Sequence, residues 1–346
     1  MKKGLTLVLA IIMAISLVGC SSKESSTTST TQADNAQTSA ADISDTKKEL
    51  QRLTIGAAGT GGTFYIWGAG VSSVLNSKYP EEFDINVMAS GGPAQNCELL
   101  HQGEVELGFV TSFVASDYYN GTGIANSECS ELRTLFPMYN SYLHIFSLAD
   151  PDLTKLSDMN GKVVATGTPG GSSQIVGDAI IEELGYTPSS ISPISLTQVM
   201  DNMKDGQCDI GMAVSNYPVS SLVELQATHP FQLIQMTDDE LAKLKATNAG
   251  YGEGMIPAGT YTGQTEDYNT LSFFTLCLVT SEMDEDMAYK ITKYIFESLP
   301  ELGEAVGNVS EVIAESVLAS PIPIHPGAAR YYREVGVTIP DDMVIK

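Results

Sequence analysis

Gly103-Glu104-Val105-Glu106-Leu107-Gly108-Phe109 and Gly206-Gln207-Cys208-Asp209-Ile210-Gly211-Met212 read as one pattern written twice, with an offset of 103 residues. Each runs glycine, two spacers, acid, apolar, glycine, apolar. A glycine placed just ahead of a short apolar run stops one helix and admits a buried strand. Upstream of the first copy lie a short strand at 53–56, the loop Gly59-Thr60-Gly61-Gly62, a helix from Thr63 to about Leu75 and a strand at 84–89. Gly91-Gly92-Pro93 then opens a second helix, where proline suits the first turn, and the strand 107–110 follows it. The second copy has the same surroundings: strand 163–166, loop Thr168-Pro169-Gly170-Gly171-Ser172-Ser173, helix to Gly185, strand 191–196 and helix to Gly206. Strand, helix, strand, helix, strand predicts an α/β unit with a parallel sheet. Its repetition predicts two similar lobes.

Apolar stretches at 135–148 and 271–280 bracket the second unit, and each is long enough to carry a strand from one lobe to the other. Helices at about 286–299 and 309–318 would return the chain to the first lobe. The expected organisation is lobe 1 from 51–145 plus 271–346 and lobe 2 from 146–270, with two mixed, mostly parallel sheets joined by two crossing hinge segments. Such lobes close by hinging. About 296 residues are more than one core usually supports, in keeping with two.

The chain starts with Lys2 and Lys3 and an apolar run at 5–18, the charged and hydrophobic parts of an export signal and too short for a spanning helix. Leu17-Val18-Gly19-Cys20 resembles a lipoprotein signal, which implies removal of 1–19 and acylation of Cys20 as a membrane anchor. Residues 21–50 hold seven Ser, six Thr and no aromatic, so 20–50 is expected to be a disordered tether with a span of roughly 30 Å.

The formal charge is −24, with 18 basic against 42 acidic residues. Nucleic-acid binding requires clustered Lys and Arg and is not expected. Once past the apolar signal, Cys97, Cys129, Cys208 and Cys277 stand at no metal-ligand or Cys-x-x-Cys spacing and read as packed free thiols, one disulfide among them remaining open. Neither metal nor cofactor is expected. There is no nucleophile elbow and no His-Glu-x-x-His, and His144, inside an apolar strand, reads as a satisfied core histidine. An enzyme stays as a weak alternative. Nothing marks an extensive self-association surface, so a monomer is expected.

In open α/β sheets ligands sit beyond the carboxyl ends of the strands, at helix N-termini whose unsatisfied N–H groups hold anions. Four segments qualify: 59–65, with Gly61, Gly62, Thr63, Phe64 and Tyr65; 90–95, with Gly91 and Gly92; 168–173, with Thr168, Gly170, Ser172 and Ser173; and 214–218, with Ser215 and Tyr217. Phe64, Tyr65 and Tyr217 are equally readable as pocket walls and as core. Gly59-Thr60-Gly61-Gly62-Thr63 lacks the Lys of a P-loop.

On Gly59-Thr60-Gly61-Gly62-Thr63-Phe64-Tyr65, Thr168-Pro169-Gly170-Gly171-Ser172, Ile256-Pro257-Ala258-Gly259-Thr260-Tyr261 and Ile324-His325-Pro326-Gly327-Ala328-Ala329-Arg330-Tyr331-Tyr332, the chain resembles the TAXI class of receptors for tripartite ATP-independent periplasmic (TRAP) transporters. The resemblance implies a two-lobed, type II-like periplasmic-binding-protein fold. It also implies a glutamate-like amino acid or small dicarboxylate in the cleft and a TRAP-type membrane permease as partner. Carried over by position, Gly61, Gly62, Thr63 and Tyr65 would face Ser172 and Ser173. Thr111-Ser112-Phe113 departs from the Gln-Ser-Asp expected of the family, leaving Ser112 as a candidate and the solute in doubt. A receptor serving an ATP-driven importer or a sensor kinase remains open.

Overall fold

Glu106 and Asp209, the acids of the repeated pattern, perform the same task in the computed structural model. Glu106 accepts the main-chain N–H of Thr54 at 2.7 Å, in β1 (Gln51–Gly56), and Asp209 accepts that of Val163 at 2.8 Å, in β5 (Val163–Ala165). Each satisfies a main-chain donor of its unit's first strand, Thr54 within β1 and Val163 at the head of β5. The glycines also correspond. Gly103 and Gly206 both have φ of +68° at helix ends. Gly108 and Gly211 lie in β3 (Leu107–Thr111) and β7 (Ile210–Ser215), where a Cβ would come within 2.8 Å of Leu100 and 2.6 Å of Phe146 respectively. Close approach of side chains to these strands needs residues without one.

The structure describes residues 50–60, 62–150, 152–307 and 309–345. The expected signal, Cys20, all of the tether but Leu50, and Gly61 lie outside them. Residues 48–346 form one unit. After β1 come α1 (Thr63–Lys78), β2 (Phe83–Met88), α2 (Pro93–Gln102), β3 and α3 (Ser112–Asn120); β5 is followed by α4 (Ser172–Leu184), β6 (Ser190–Ser192), α5 (Leu196–Lys204), β7 and α6 (Ser220–Gln226). The strands run β2-β1-β3 in one unit and β7-β5-β6 in the other, with all four pairings parallel.

Two long strands, β4 (Leu132–Leu148) and β10 (Tyr268–Thr280), are the expected crossing segments. They pair with each other antiparallel, β10 also with β3 and β4 with β7. The two sheets are therefore joined by hydrogen bonds into one ten-stranded sheet, a path of eight strands with β8 (Phe231–Leu233) branching from β4 and β9 (Gly252–Ile256) from β10. All five pairings of β4 and β10 are antiparallel, so the expectation of mostly parallel sheets holds only inside each unit.

Three apolar clusters hold this frame. One gathers α1, α8 (Glu285–Glu297) and α10 (Pro326–Glu334) around β1 and β2, with Trp67, Phe109 and Tyr332 buried. A second continues from α2 and α3 to α4 and α7 (Asp238–Lys245) through Leu143, Ile145, Phe273 and Leu276 of the crossing strands. The third, with Tyr142, Phe146 and Leu222, covers the other face of the second unit. Two expected elements differ. The strand foreseen at 191–196 is cut to three residues because Pro193 has no N–H to donate and Ser195 already caps α5. The helix foreseen at 309–318 is absent: α9 (Leu299–Val306) stops at Gly307, φ +90°, and a 3-10 helix occupies Ala314–Ala319. Its buried apolar residues, Val312 and Val317, are five apart and would not share a helix face. Among the described residues, no helix is long and apolar enough to cross a membrane.

Candidate functional site

The four candidate loops do lie at carboxyl ends of strands: three lead into α1, α2 and α4 and the fourth into α6, while α3 follows β3 directly. α1, α2, α3 and α4 begin at Gly62, Gly92, Thr111 and Gly171, and no side chain caps any of the four. Their first-turn N–H groups keep the partial positive charge of a helix N-terminus. Turns shape the loops: Gly62 donates to the Gly59 carbonyl at 2.8 Å and Gly171 to that of Thr168 at 3.0 Å.

Loops of the two units meet face to face. A Cβ on Gly92 would stand 3.4 Å from the Gly170 carbonyl oxygen, and one on Gly170 would stand 3.5 Å from that of Gly91. Both residues have positive φ, +114° and +74°, a region that side chains disfavour. The Thr111 and Ser172 hydroxyls lie 3.4 Å apart across the same junction. The loops are built alike. Gly91 donates its N–H to Gln95 Oε1 at 2.6 Å, and Gly170 donates to Gln174 Oε1 at 2.7 Å. Gly-Gly-x-x-Gln at 91–95 and 170–174 was a legible second echo that the sequence reading passed over.

Several candidates have other work. Phe64 is 9% exposed and edge-on to Phe109 at 6.2 Å, a core side chain and not a wall. Ser173 accepts the Val214 N–H at 2.9 Å and braces α4 against β7. Ser112 is buried and donates to the Gly250 carbonyl at 2.7 Å. Thr63, Tyr65, Thr168, Ser172, Ser215 and Tyr217 are not buried; Tyr65 packs against the first unit's core, and Tyr217 stands edge-on to Tyr142 at 4.8 Å. Gly61 lies outside the described residues.

The sequence reading also missed a second junction. Asn248 donates to the Phe113 carbonyl at 3.2 Å and to Asp117 Oδ1 at 2.8 Å, and a Cβ on Gly250 would fall 2.3 Å from the Phe113 nitrogen. Nothing local marks Asn248 or Gly250, since their partners are more than 130 positions away.

Behind the fourth loop the hydrogen bonds are complete and neutral. Tyr261 accepts the Val219 N–H at 2.8 Å and donates to His144 Nε2 at 2.9 Å, and His144 Nδ1 donates to the Tyr142 carbonyl at 3.0 Å. Burial lowers His144 to about 4, which keeps the ring neutral as these bonds require. Burial, with Glu311 and Tyr217 nearby, pushes the Tyr142 hydroxyl up to about 12. Glu311 also accepts the Asn140 N–H of the crossing strand at 3.0 Å.

Residues 57–65, 89–96, 111–114, 166–175 and 214–219 contain no charged side chain, on a chain of net charge −24. Main-chain N–H groups, hydroxyls and the neutral side-chain amides of Gln95, Gln174 and Asn216 are therefore the donors on offer, a set that suits a small anion. An open groove of 170 Å³ in the second unit, lined in part by Phe231, Tyr261, Gln264 and Tyr268, lies away from the facing loops.

Comparison with known proteins gives one family and one architecture. The model of the NMT1-like family matches residues 55–336. A Xanthomonas citri protein solved bound to ATP is 11% identical, with a TM-score of 0.50 over 82% of this chain and 95% of that one. The periplasmic aliphatic sulphonate binding protein SsuA from Escherichia coli is 16% identical, with a TM-score of 0.42 over 83% and 91%. A TctC solute binding protein from Polaromonas is 10% identical, with a TM-score of 0.48 over 82% and 97%.

Proposed function

Because the chain belongs to the NMT1-like family, whose character is that of periplasmic binding proteins, we propose that it is an exported receptor for a small carboxylate-bearing solute. The solute sits between lobe 1, 51–145 plus 271–346, and lobe 2, 146–270. One observation carries this reading: two loops built alike, free of charged side chains and opening onto uncapped helices, oppose each other across the units at Gly92 and Gly170. An anion placed there would take main-chain donors from both sides. Its affinity for the closed arrangement would exceed that for an open one, which is the condition for ligand-driven closure.

The finer reading follows the sequence motifs. The solute is a glutamate-like amino acid or a dicarboxylate, and the partner is a TRAP-type permease of the TAXI class. Acylated Cys20 anchors the protein, as a monomer, to the outer face of the cell membrane. Within the site Thr63 and Ser172 supply donors, Gly62, Gly92 and Gly170, whose own N–H groups are already bonded, let the solute approach the backbone, Gly61 lies beside them in sequence, and Tyr65 and Tyr217 flank the solute. Thr111, which touches Ser172, joins this set.

Thermal unfolding of the full chain with amino acids, dicarboxylates, 2-oxo acids, phosphate, nucleotides and sugars tests the proposal. Ligand at about 1,000 times its Kd stabilises by roughly 4 kcal/mol and raises the midpoint by several degrees. The expected outcome is a shift with one carboxylate family, lost in Thr63→Ala and Ser172→Ala variants that still fold. Shifts confined to sugars or nucleotides would sink the ligand class.

A further inference from the structure

His101, Cys129 and Glu131 come together at the far end of α2 from the facing loops. Their ligand-capable atoms, an imidazole nitrogen, the thiol Sγ and a carboxylate oxygen, all lie within 4.8 Å of one another. His101 Nδ1 and Glu131 Oε1 are already 2.7 Å apart. A tetrahedral zinc centre with bonds of about 2.0–2.3 Å sets its ligand atoms roughly 3.5 Å apart. Side-chain rotation alone can therefore bring this trio around one ion. We propose that these three residues form a binding site for a divalent transition-metal cation, with Zn²⁺ as the best fit, completed by a solvent ligand.

The donor set decides the class. One nitrogen, one sulfur and one oxygen suit a borderline-soft ion, whereas calcium and magnesium take oxygen alone. Access and protection are both present. The His101 and Glu131 side chains are 45% and 29% exposed, which leaves an entry path and a fourth position, while Cys129 is fully buried.

The backbone carrying the ligands is held before any ion arrives. Cys129 donates its N–H to the Tyr118 carbonyl at 2.7 Å, Leu132 donates to Cys129 at 3.1 Å, and Ser281 donates to the Glu131 carbonyl at 2.7 Å. Gly103, just beyond His101, closes α2 by donating to Leu100 at 3.0 Å. Neighbouring Glu98 is otherwise engaged, accepting from Tyr118 and Asn126 at 2.9 Å each, and is not a ligand. Eight residues of helix separate Pro93 from His101, about 12 Å, so the ion would not share the solute's site. It would staple the end of α2 to the segment entering β4.

Cobalt reports directly on sulfur ligation. The full chain, purified in detergent, reduced and stripped with a chelator, is titrated with Co²⁺ and then with Zn²⁺. The expected result is one Co²⁺ per chain, with a sulfur-to-cobalt charge-transfer band and tetrahedral visible bands, both bleached by Zn²⁺. Cys129→Ser removes the charge-transfer band. His101→Ala, at a half-exposed position, weakens binding by more than the roughly 10–100-fold typical of an outer-shell partner and leaves the metal-free unfolding midpoint in place. Glu98→Gln keeps the spectrum. Uptake of Co²⁺ without a sulfur band, no uptake at all, or a spectrum unchanged in His101→Ala would overturn the site, and the last criterion stands even if Cys129→Ser does not fold.

Discussion

Helices of this protein begin in two ways. α5, α7, α8 and α10 start at Ser195, Thr237, Asp284 and His325, each of which accepts a first-turn N–H with its side chain. α1, α2 and α4 start at the Gly-rich candidate loops and α3 directly after β3, with no such acceptor, and α6 and α9 also start without one, at Val219 and Ser298. A side-chain cap contributes typically about 1 kcal/mol, and this chain supplies one at α5, α7, α8 and α10. Where the two units meet it withholds four. On the proposed function, the difference separates donors committed to stability from donors open to a solute, and it can be broken or sharpened by measurement.

The largest effect is expected from acid, through the bonds that brace the fourth loop from behind. His144 is neutral and held at about 4, against about 6.5 for an unperturbed histidine. The unfolded chain then binds the extra proton between those values. The contribution of His144 is whole above pH 6.5 and is lost as pH falls toward 4, about 3 kcal/mol in all. Urea denaturation across this range measures it, and a His144→Gln variant with the same acid slope would show that other groups are responsible. His325, whose Nδ1 caps α10, is likewise lowered by burial and adds to the slope with the same sign.

Next comes the junction of the units. Gly250→Ala puts a methyl 2.3 Å from the Phe113 nitrogen, and overpacking of this kind costs roughly 1–3 kcal/mol. The urea midpoint should drop and solute affinity with it; an unchanged midpoint would mean that the turn at 248–251 yields freely. Thr237→Ala removes an ordinary cap and should lower stability by about 1 kcal/mol while calorimetric affinity for the solute stays level. The smallest change in stability is expected from Gly171→Ser. Gly171 has φ −82° and ψ 158°, open to any residue, though a Cβ would be 3.1 Å from the Thr168 carbonyl. Its hydroxyl would shift stability by only a few tenths of a kcal/mol, yet solute affinity should fall about tenfold, or about 1.4 kcal/mol, because the new cap competes for the vacant donors. Full affinity in this variant would remove the reason for calling those donors functional.

Much of the fold was legible because it is written in local chemistry repeated at a fixed offset. Helix stops at Gly103 and Gly206, the acids that secure β1 and β5, and the glycines within β3 and β7 all act near their own sequence neighbours or within one unit. Elements without such punctuation were read less well. The chain at 309–318 has apolar residues but no helical spacing between the two that are buried, and β6 is shortened by a proline two residues before the cap of α5. At the candidate site, the glycine-rich loops stand at carboxyl ends of strands, as read. They did not say which hydroxyls were already engaged, so Ser112 and Ser173 looked as available as Ser172.

The amino-acid sequence by itself determined two βαβαβ units, two crossing strands, the Gly-rich mouths of the helices and their freedom from charge, because turn chemistry and apolar spacing act over a few residues. Tertiary structure alone decided that Gly92 meets Gly170, that Asn248 and Gly250 clasp α3, and that His101 comes within reach of Cys129 and Glu131. Those contacts join positions from 28 to 138 residues apart in the sequence, and no local signal encodes a partner that only the packing of β4 and β10 brings near.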